Sequence, residues 1–399
     1  MFARRNSLIL FYLFEFEQNV RNEARLYIQH IQPGDKTKRD FSLFHFLNLI
    51  GMKKIVKQVV GIDVAQKELV VCLGRMYDDL KPELYAFKNF ANTAKGIKTL
   101  VEWVTKLIDV ALPVRYVMEA TGVYHETLAY FLDEHNFEVT VVLPNKISNY
   151  VRTLEIKTVT DKTASEAIAR FGLERHLEQW HRPPKALKTL RQLTRERDQV
   201  VHIRSMIKNQ LHAEQAEAEP NRGSIERLKK QILFFDKQEK EIKKELDEVI
   251  KQDEKLKASV ALICSIPGIG ILTAITILAE TNDFELIRNK RQLTSYAGLD
   301  VKEKQSGTSV KGKPKISKRG NKYLRKAMHL PALSAIKNDE RFKAVFARLV
   351  SKHGIKMKAV VAVQRKLLEM AYIIYKTQKP YDKKYLQKNE VDIMNLETV

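Results

Sequence analysis

Residues 60–63, Val-Gly-Ile-Asp, close an apolar run that contains Ile55, Val56, Val59 and Val60, and a second strand-like run, Glu68-Leu-Val-Val-Cys-Leu73, follows at once. Two such runs predict buried, paired strands. An acid placed where a central strand ends stands at the rim of the sheet, where a carboxylate can hold a metal. Asp63 therefore restricts the chain more than any other residue.

The pattern after Asp63 alternates between two periods. Residues 55–64, 67–74 and 83–88 predict a three-strand meander. Ile97, Leu100, Val101, Val104 and Ile108 give helical spacing to 92–108. Val114–Met118 is a short strand that ends at Glu119, 122–135 has helical spacing, and Phe137–Leu143 is a β-branched strand closed by Pro144. Residues 146–154 and 161–171 predict helices. Strand pairs followed by alternating helix and strand predict an α/β domain with a mixed sheet.

Pro183-Pro184 marks a boundary after which strand signals cease. Leu193, Val200, Ile203, Ile207 and Leu211 form one helical stripe. Ile225, Leu228, Ile232, Phe235, Ile242, Leu246 and Val249 form another, beyond a break at Glu219-Pro-Asn-Arg-Gly223. They predict an antiparallel helical hairpin or coiled coil, with Glu226/Lys230 and Glu239/Lys243 as supporting pairs. From Ala258 the chain reads as mainly helical, with a hairpin-like Ser265-Ile-Pro-Gly-Ile-Gly270, a Gly/Ser/Lys-rich loop over 298–320, a helix from Asn321 that Pro331 should kink or end, and an apolar last helix. The expected divisions are 52–182, 183–257 and 258–380, with a loose tail over 381–399. Residues 1–51 lack sustained periodicity, and Met52-Lys-Lys-Ile-Val-Lys leads straight into the Asp63 strand. They are expected to be upstream sequence read in frame or disordered, with natural translation from Met52; a true helical appendage is the alternative.

The 70 Lys and Arg against 48 Asp and Glu give a net charge of +22, which favours polyanions, nucleic acid first. Cys72 and Cys264 form neither a disulfide framework nor a zinc box, which suits a reducing cytoplasm. No run reaches the roughly 18 apolar residues of a membrane span, so no membrane partner is expected.

Two-metal phosphoryl chemistry needs several acids converging from separate elements. Asp63 and Glu119 end strands, and Asp161 opens a helix. With the first and fourth strands adjacent and that helix across the face, the three converge as in RNase H-like nucleases. Singly, each is equally a solvated acid or a helix cap.

The stretches Val60-Gly-Ile-Asp-Val-Ala65, Met118-Glu-Ala-Thr-Gly122 and Thr160-Asp-Lys-Thr-Ala-Ser-Glu-Ala-Ile-Ala169 resemble the insertion-sequence transposases with a DEDD motif, the family that includes the Piv-type invertases and the bridge-RNA-guided recombinases. The resemblance spans about 52–380. It implies a RuvC-like domain whose Asp63, Glu119 and Asp161 bind Mg2+, then a helical hairpin or coiled coil and a mainly α C-terminal transposase domain. The family's fourth acid, three residues after the third, is here Ala164. Three acids suffice, or Glu166 substitutes, or this copy is weakened. Glu166 lies about 140° around an ideal helix from Asp161, so it requires an irregular helix start.

On its residues alone the loop is a cationic DNA-contact segment, with Lys311, Lys313, Lys315, Lys318, Arg319 and Arg325 suited to phosphates. The resemblance implies more: a serine that attacks the phosphodiester and becomes covalently linked to DNA. Ser306 matches it by spacing from Gly298-Leu299, and Ser317 is the reserve. The implied protein is an Mg2+-dependent recombinase that moves its own insertion sequence. Its implied partners are DNA (element ends and target), a guide RNA and further copies of itself in a dimer or tetramer. The alternatives are a DNA invertase or metal-dependent junction nuclease, and a nucleic-acid-binding protein without catalysis.

Overall fold

The computed structural model describes residues 53–382 except 121, 155–157, 159, 286, 303–304, 307–309 and 312–314, and gives only the backbone of 305, 306, 310 and 311. The expected extension over 1–51 with its Met52 start, Lys313, the side chains of Ser306 and Lys311, and residues 383–399 lie outside the described set. The chain divides between Arg182 and Pro183 into two compact units.

The first unit is built on a five-stranded sheet of β1 (Ile55–Val64), β2 (Glu68–Tyr77), β3 (Pro82–Ala91), β4 (Val114–Glu119) and β5 (Glu138–Val142). Their order is β3-β2-β1-β4-β5. β2 pairs antiparallel with β1 and β3, whereas β4 runs parallel to β1 and β5. This is the RNase H-like arrangement, with the first and fourth strands adjacent. Helix α1 (Ala94–Thr105) and α2 (Glu126–Glu134) cover one face over Val60, Ile62, Tyr116 and Met118. Helix α3 (Pro144–Val151) and α4 (Asp161–Glu174) cover the other over Val59, Val117 and Val142. The expected helix over 122–135 begins only at Glu126, because Gly122 has φ +56°, a left-handed conformation that no helix interior accepts.

Strand alternation sets which side chains face α4. Along β1 the odd residues Val59 and Gly61 meet it, and a Cβ on Gly61 would fall 2.3 Å from the Ala169 backbone nitrogen. On the helix side, Gly172 presses on Val59. Gly61, Ala169 and Gly172 thus let helix and strand approach almost backbone to backbone.

The second unit opens with the hairpin of α5 (Lys185–Ala216) and α6 (Arg222–Lys251). Val200, Ile207, Ile242 and Leu246 are buried as the stripes require, but Ile203 is half-exposed, and Glu226 pairs with Lys229 rather than Lys230. A charged knot ties the arms: buried Glu239 accepts from Arg197 at 2.7 Å and Lys243 at 2.9 Å, and meets Arg204 at 2.6 Å. Burial alone would raise the Glu239 carboxyl, but those three cations hold it at about 2. A carboxyl lowered in the folded state stabilises above its ordinary value of 4.5 and loses that contribution as pH falls toward 2. Glu239→Gln is expected to cost about 3 kcal/mol at neutral pH, because three cations lose their counter-charge. Thermal melts from pH 7 to 2 should show the difference from wild type shrinking below pH 4.5.

The rest is α7 (Glu254–Cys264), α8 (Ile271–Thr281), α9 (Lys290–Tyr296), α10 (Lys322–Ala327), α11 (His329–Asn338), α12 (Glu340–His353) and α13 (Lys356–Thr377). The break expected near Pro331 falls at Met328, so proline sits in the first turn of α11, where its missing N–H costs nothing. In the hairpin between α7 and α8, Gly268 has φ +87° and lies where a Cβ would be 2.4 Å from the Pro331 carbonyl, a packing requirement. Tyr381, expected in a loose tail, is held: its amide donates to Ser265 Oγ at 2.9 Å and its hydroxyl to Asp339 at 3.2 Å.

Candidate active site

The parallel register of β1 and β4 places Ile62 opposite Met118, so the next residues, Asp63, last but one in β1, and Glu119, last in β4, stand side by side. Ile62 and Met118 point into the core beneath α1 and α2. Alternation therefore turns Asp63 and Glu119 toward the α4 face. Asp161 is the first residue of α4, exposed, and its helix start is fixed by Thr160 and Thr163 bonding each other's backbone amides at 3.2 and 2.7 Å.

Electrostatics record the convergence. The Asp63 carboxyl is pushed up to about 6 by burial first, then by the charges of Asp161 and Glu119, and a bond from the Val64 amide offsets only part of this. Three acids from three elements act on one point, an arrangement relieved by a cation.

The donor set suits a hard divalent ion: carboxylate oxygens, with negative charge in excess at Asp63. Among the described residues no group of three or more acid, His or Cys side chains lies close enough to hold a metal by itself. The acids converge without closing into a cage.

Glu166 lies elsewhere. The helix start is regular, with the Ala164 amide bonded to the Thr160 carbonyl at 2.8 Å, so the irregularity that Glu166 requires is missing. Glu166 instead raises the Cys72 thiol of β2, after burial has already done so. Ala164 shares its row of α4 with Ile168 and Phe171, which pack with Val142, Ile147 and Tyr150 on the β4–β5 side. Position 164 lies on the row that packs toward the β4–β5 side, whereas Glu166 acts on Cys72 of β2.

In the second unit, the loop after α9 carries β6 (Val301–Lys302) paired with β9 (Lys315–Ile316), and β7 (Gln305–Ser306) paired with β8 (Val310–Lys311). Ser306 thus lies on the backbone of a small hairpin, opposite Val310. Ser317 lies at the foot of the loop, its hydroxyl donating to Asp300 Oδ1 at 2.5 Å and accepting from the Arg319 amide at 3.3 Å. Lys315, Lys318 and Arg319 are exposed, whereas Arg325 donates to the Ala297 carbonyl at 2.7 Å and is partly engaged in the fold. Sequence reasoning missed Asp300 as the Ser317 partner and Glu280, the one charged residue of Ile271–Thr281. A lone acid within an apolar helix was the available signal.

Residues 60–215 match the DEDD insertion-sequence family model described as a transposase, and residues 260–347 match the Transposase IS116/IS110/IS902 family. The chain belongs to the insertion-sequence DEDD transposase family. It is similar to the pilin gene-inverting protein of Moraxella bovis, 26% identical over 82% of this chain and 98% of that one. It is also similar to the transposase for insertion sequence element IS1111A of Coxiella burnetii, 30% identical over 34% of this chain and 38% of that one. The Thermus thermophilus RuvC structure aligns over 31% of this chain and 99% of its own, at 13% identity and a TM-score of 0.25. The transposase is a DNA-cleaving recombinase enzyme that binds DNA. Among its described residues no helix is long and apolar enough to cross a membrane.

Proposed function

We propose that this transposase cuts and rejoins the DNA ends of its own insertion sequence through Ser306, with Asp63, Glu119 and Asp161 holding Mg2+, and that a guide RNA selects the sites. The metal part of the reading is supported above all by the register that sets Asp63 beside Glu119 and by the start of α4 at Asp161, with the Asp63 carboxyl raised by burial and by both other acids. In the attack, the Ser306 hydroxyl gives up its proton and its oxygen bonds to phosphorus. The DNA ester oxygen leaves and takes up a proton, and attack by a new DNA hydroxyl on the phosphoserine reverses the step and rejoins the strand. Bound Mg2+ supplies charge neutralisation at the phosphate and lowers the pKa of what it holds. Lys311, Lys313, Lys315, Lys318 and Arg319 neutralise DNA phosphates. Ser306 is preferred to Ser317 because the Ser317 hydroxyl already serves the loop foot. The assembly is a dimer or tetramer acting at the nucleoid in the cytoplasm, where one copy's acids serve a serine loop.

The test is a cleavage reaction on the element's own ends with flanking RNA and Mg2+, resolved for protein covalently attached to DNA. Ser306→Ala is expected to remove the adduct, and Ser317→Ala to retain it. An adduct that survives Ser306→Ala contradicts the assignment.

A second reading, a copy that binds nucleic acid without cutting, draws on Ala164. Placing a carboxylate there should raise adduct yield by at least about tenfold, since ligand charge count sets cation affinity. No adduct from either wild type or Ala164→Asp, with DNA binding intact, favours the second reading.

A further inference from the structure

One carboxylate in the second unit is held away from water by a partly exposed arginine. The Glu280 side chain is 1% exposed. Arg195 grips it with Nε and Nη2 donating to the two carboxylate oxygens, each at 2.7 Å. Asn321 Nδ2 donates to Oε2 at 2.6 Å, and the Tyr296 hydroxyl donates to the Glu280 carbonyl at 2.9 Å. The Arg195 guanidinium also covers the Tyr323 ring at 4.6 Å. Well-packed apolar residues usually fill such a space with equal or greater stability. The charged set adds direction, since a forked pair admits one orientation.

Tyr296 and Asn321 are the two ends of the loop that carries Ser306. They are also joined directly, the Asn321 amide donating to the Tyr296 carbonyl at 2.7 Å. Gly320 lies so close that a Cβ there would be 2.3 Å from the Tyr296 carbonyl oxygen. Further along, the Lys318 amide bonds the Gly298 carbonyl at 3.1 Å and the Ser317 amide bonds the Asp300 carbonyl at 2.9 Å. The loop therefore stands on a narrow neck. Both ends of the neck are bonded to Glu280, and Glu280 is bonded to α5.

We propose that Glu280, gripped by Arg195, is a positioning residue for strand cleavage: it fixes the neck of the 297–320 loop to α5 and so sets where Ser306 stands. This rests on the Ser306 reading. Glu280 touches no DNA in this account and acts through the neck. Misplacing a nucleophile by about 1 Å lowers rates on the order of 100-fold.

The test compares Glu280→Gln and Arg195→Lys with wild type and Ser306→Ala, all as full chains. Gln keeps the shape and loses the charge; Lys keeps the charge and loses the fork. Amide hydrogen exchange at Ser317, Lys318 and Asn321 reads the neck, duplex DNA affinity reads binding, and adduct formation at saturating DNA reads chemistry. Both variants are expected to exchange at least about tenfold faster at the neck, to bind DNA within about twofold of wild type, and to form adduct 10- to 100-fold more slowly. Unchanged neck exchange overturns the proposal, as does a loosened neck with wild-type adduct rate. A uniform fall in protection across all helices also overturns it, by assigning the pair to general stability. An adduct persisting in Ser306→Ala removes the serine reading alone, because the neck exchange still reports on Glu280 independently of the nucleophile.

Discussion

Asp63→Asn should abolish DNA cleavage and, at the same time, make the metal-free protein more stable at pH 7.5. The two effects have one cause. Asp63 has an ordinary value of 3.8 and stands at about 6 in the folded chain. A carboxyl raised by folding favours its protonated form there. Its folded-state contribution is intact below pH 3.8, is lost as pH climbs through about 6, and leaves a constant penalty above. The full shift converts to about 3 kcal/mol, and solvent access to a half-buried carboxyl reduces this to about 1–2 kcal/mol. Asparagine mimics the neutral acid and escapes the penalty. Denaturant melts of both proteins should coincide near pH 4 and diverge up to about pH 6, with Asn the more stable. Equal stability at pH 7.5 would show that neither burial nor the neighbouring acids penalise the charged Asp63.

Gly61→Ala should be far more damaging than a single methyl usually is. The added Cβ would lie 2.3 Å from the Ala169 nitrogen and 2.6 Å from its Cα. Both are backbone atoms, so no rotamer change makes room; α4 must move off β1. Overpacking of this kind costs on the order of 3 kcal/mol, or roughly a 10 °C fall in Tm for a unit of this size. Ala169→Gly should restore little, because it removes the Cβ and leaves the nitrogen and Cα in place. The displacement also carries Asp161 away from Asp63, so cleavage should fall by more than the folded fraction does. A folded Gly61→Ala protein with wild-type cleavage would refute the close approach.

The sheet was legible because its signals are long and local. Nearly continuous apolar runs in ten-residue strands mark β1 and β2, and the acids near the end of β1 and at the end of β4 stand out against buried neighbours. That Asp63 and Glu119 face α4 needed the parallel register, which no single stretch encodes. The direction of Glu166 needed the capped start at Thr160, which fixes the helix phase. The neck was invisible for a different reason: two-residue strands such as β6 and β9 carry no periodicity, and their pairing joins residues far apart in sequence. Glu280 was in plain view as an acid in an apolar helix, but its partners come from α5 and from beyond the loop.

The carboxylate site is tested most directly by titrating Mn2+, as a spectroscopic stand-in for Mg2+, into wild type and Asp63→Asn at pH 7.5, with free ion followed by electron paramagnetic resonance. Wild type should take up ion that Asp63→Asn does not, and a four-way DNA junction should tighten the uptake. Equal uptake by the two proteins, or none by wild type even with DNA present, would contradict a metal site built on Asp63.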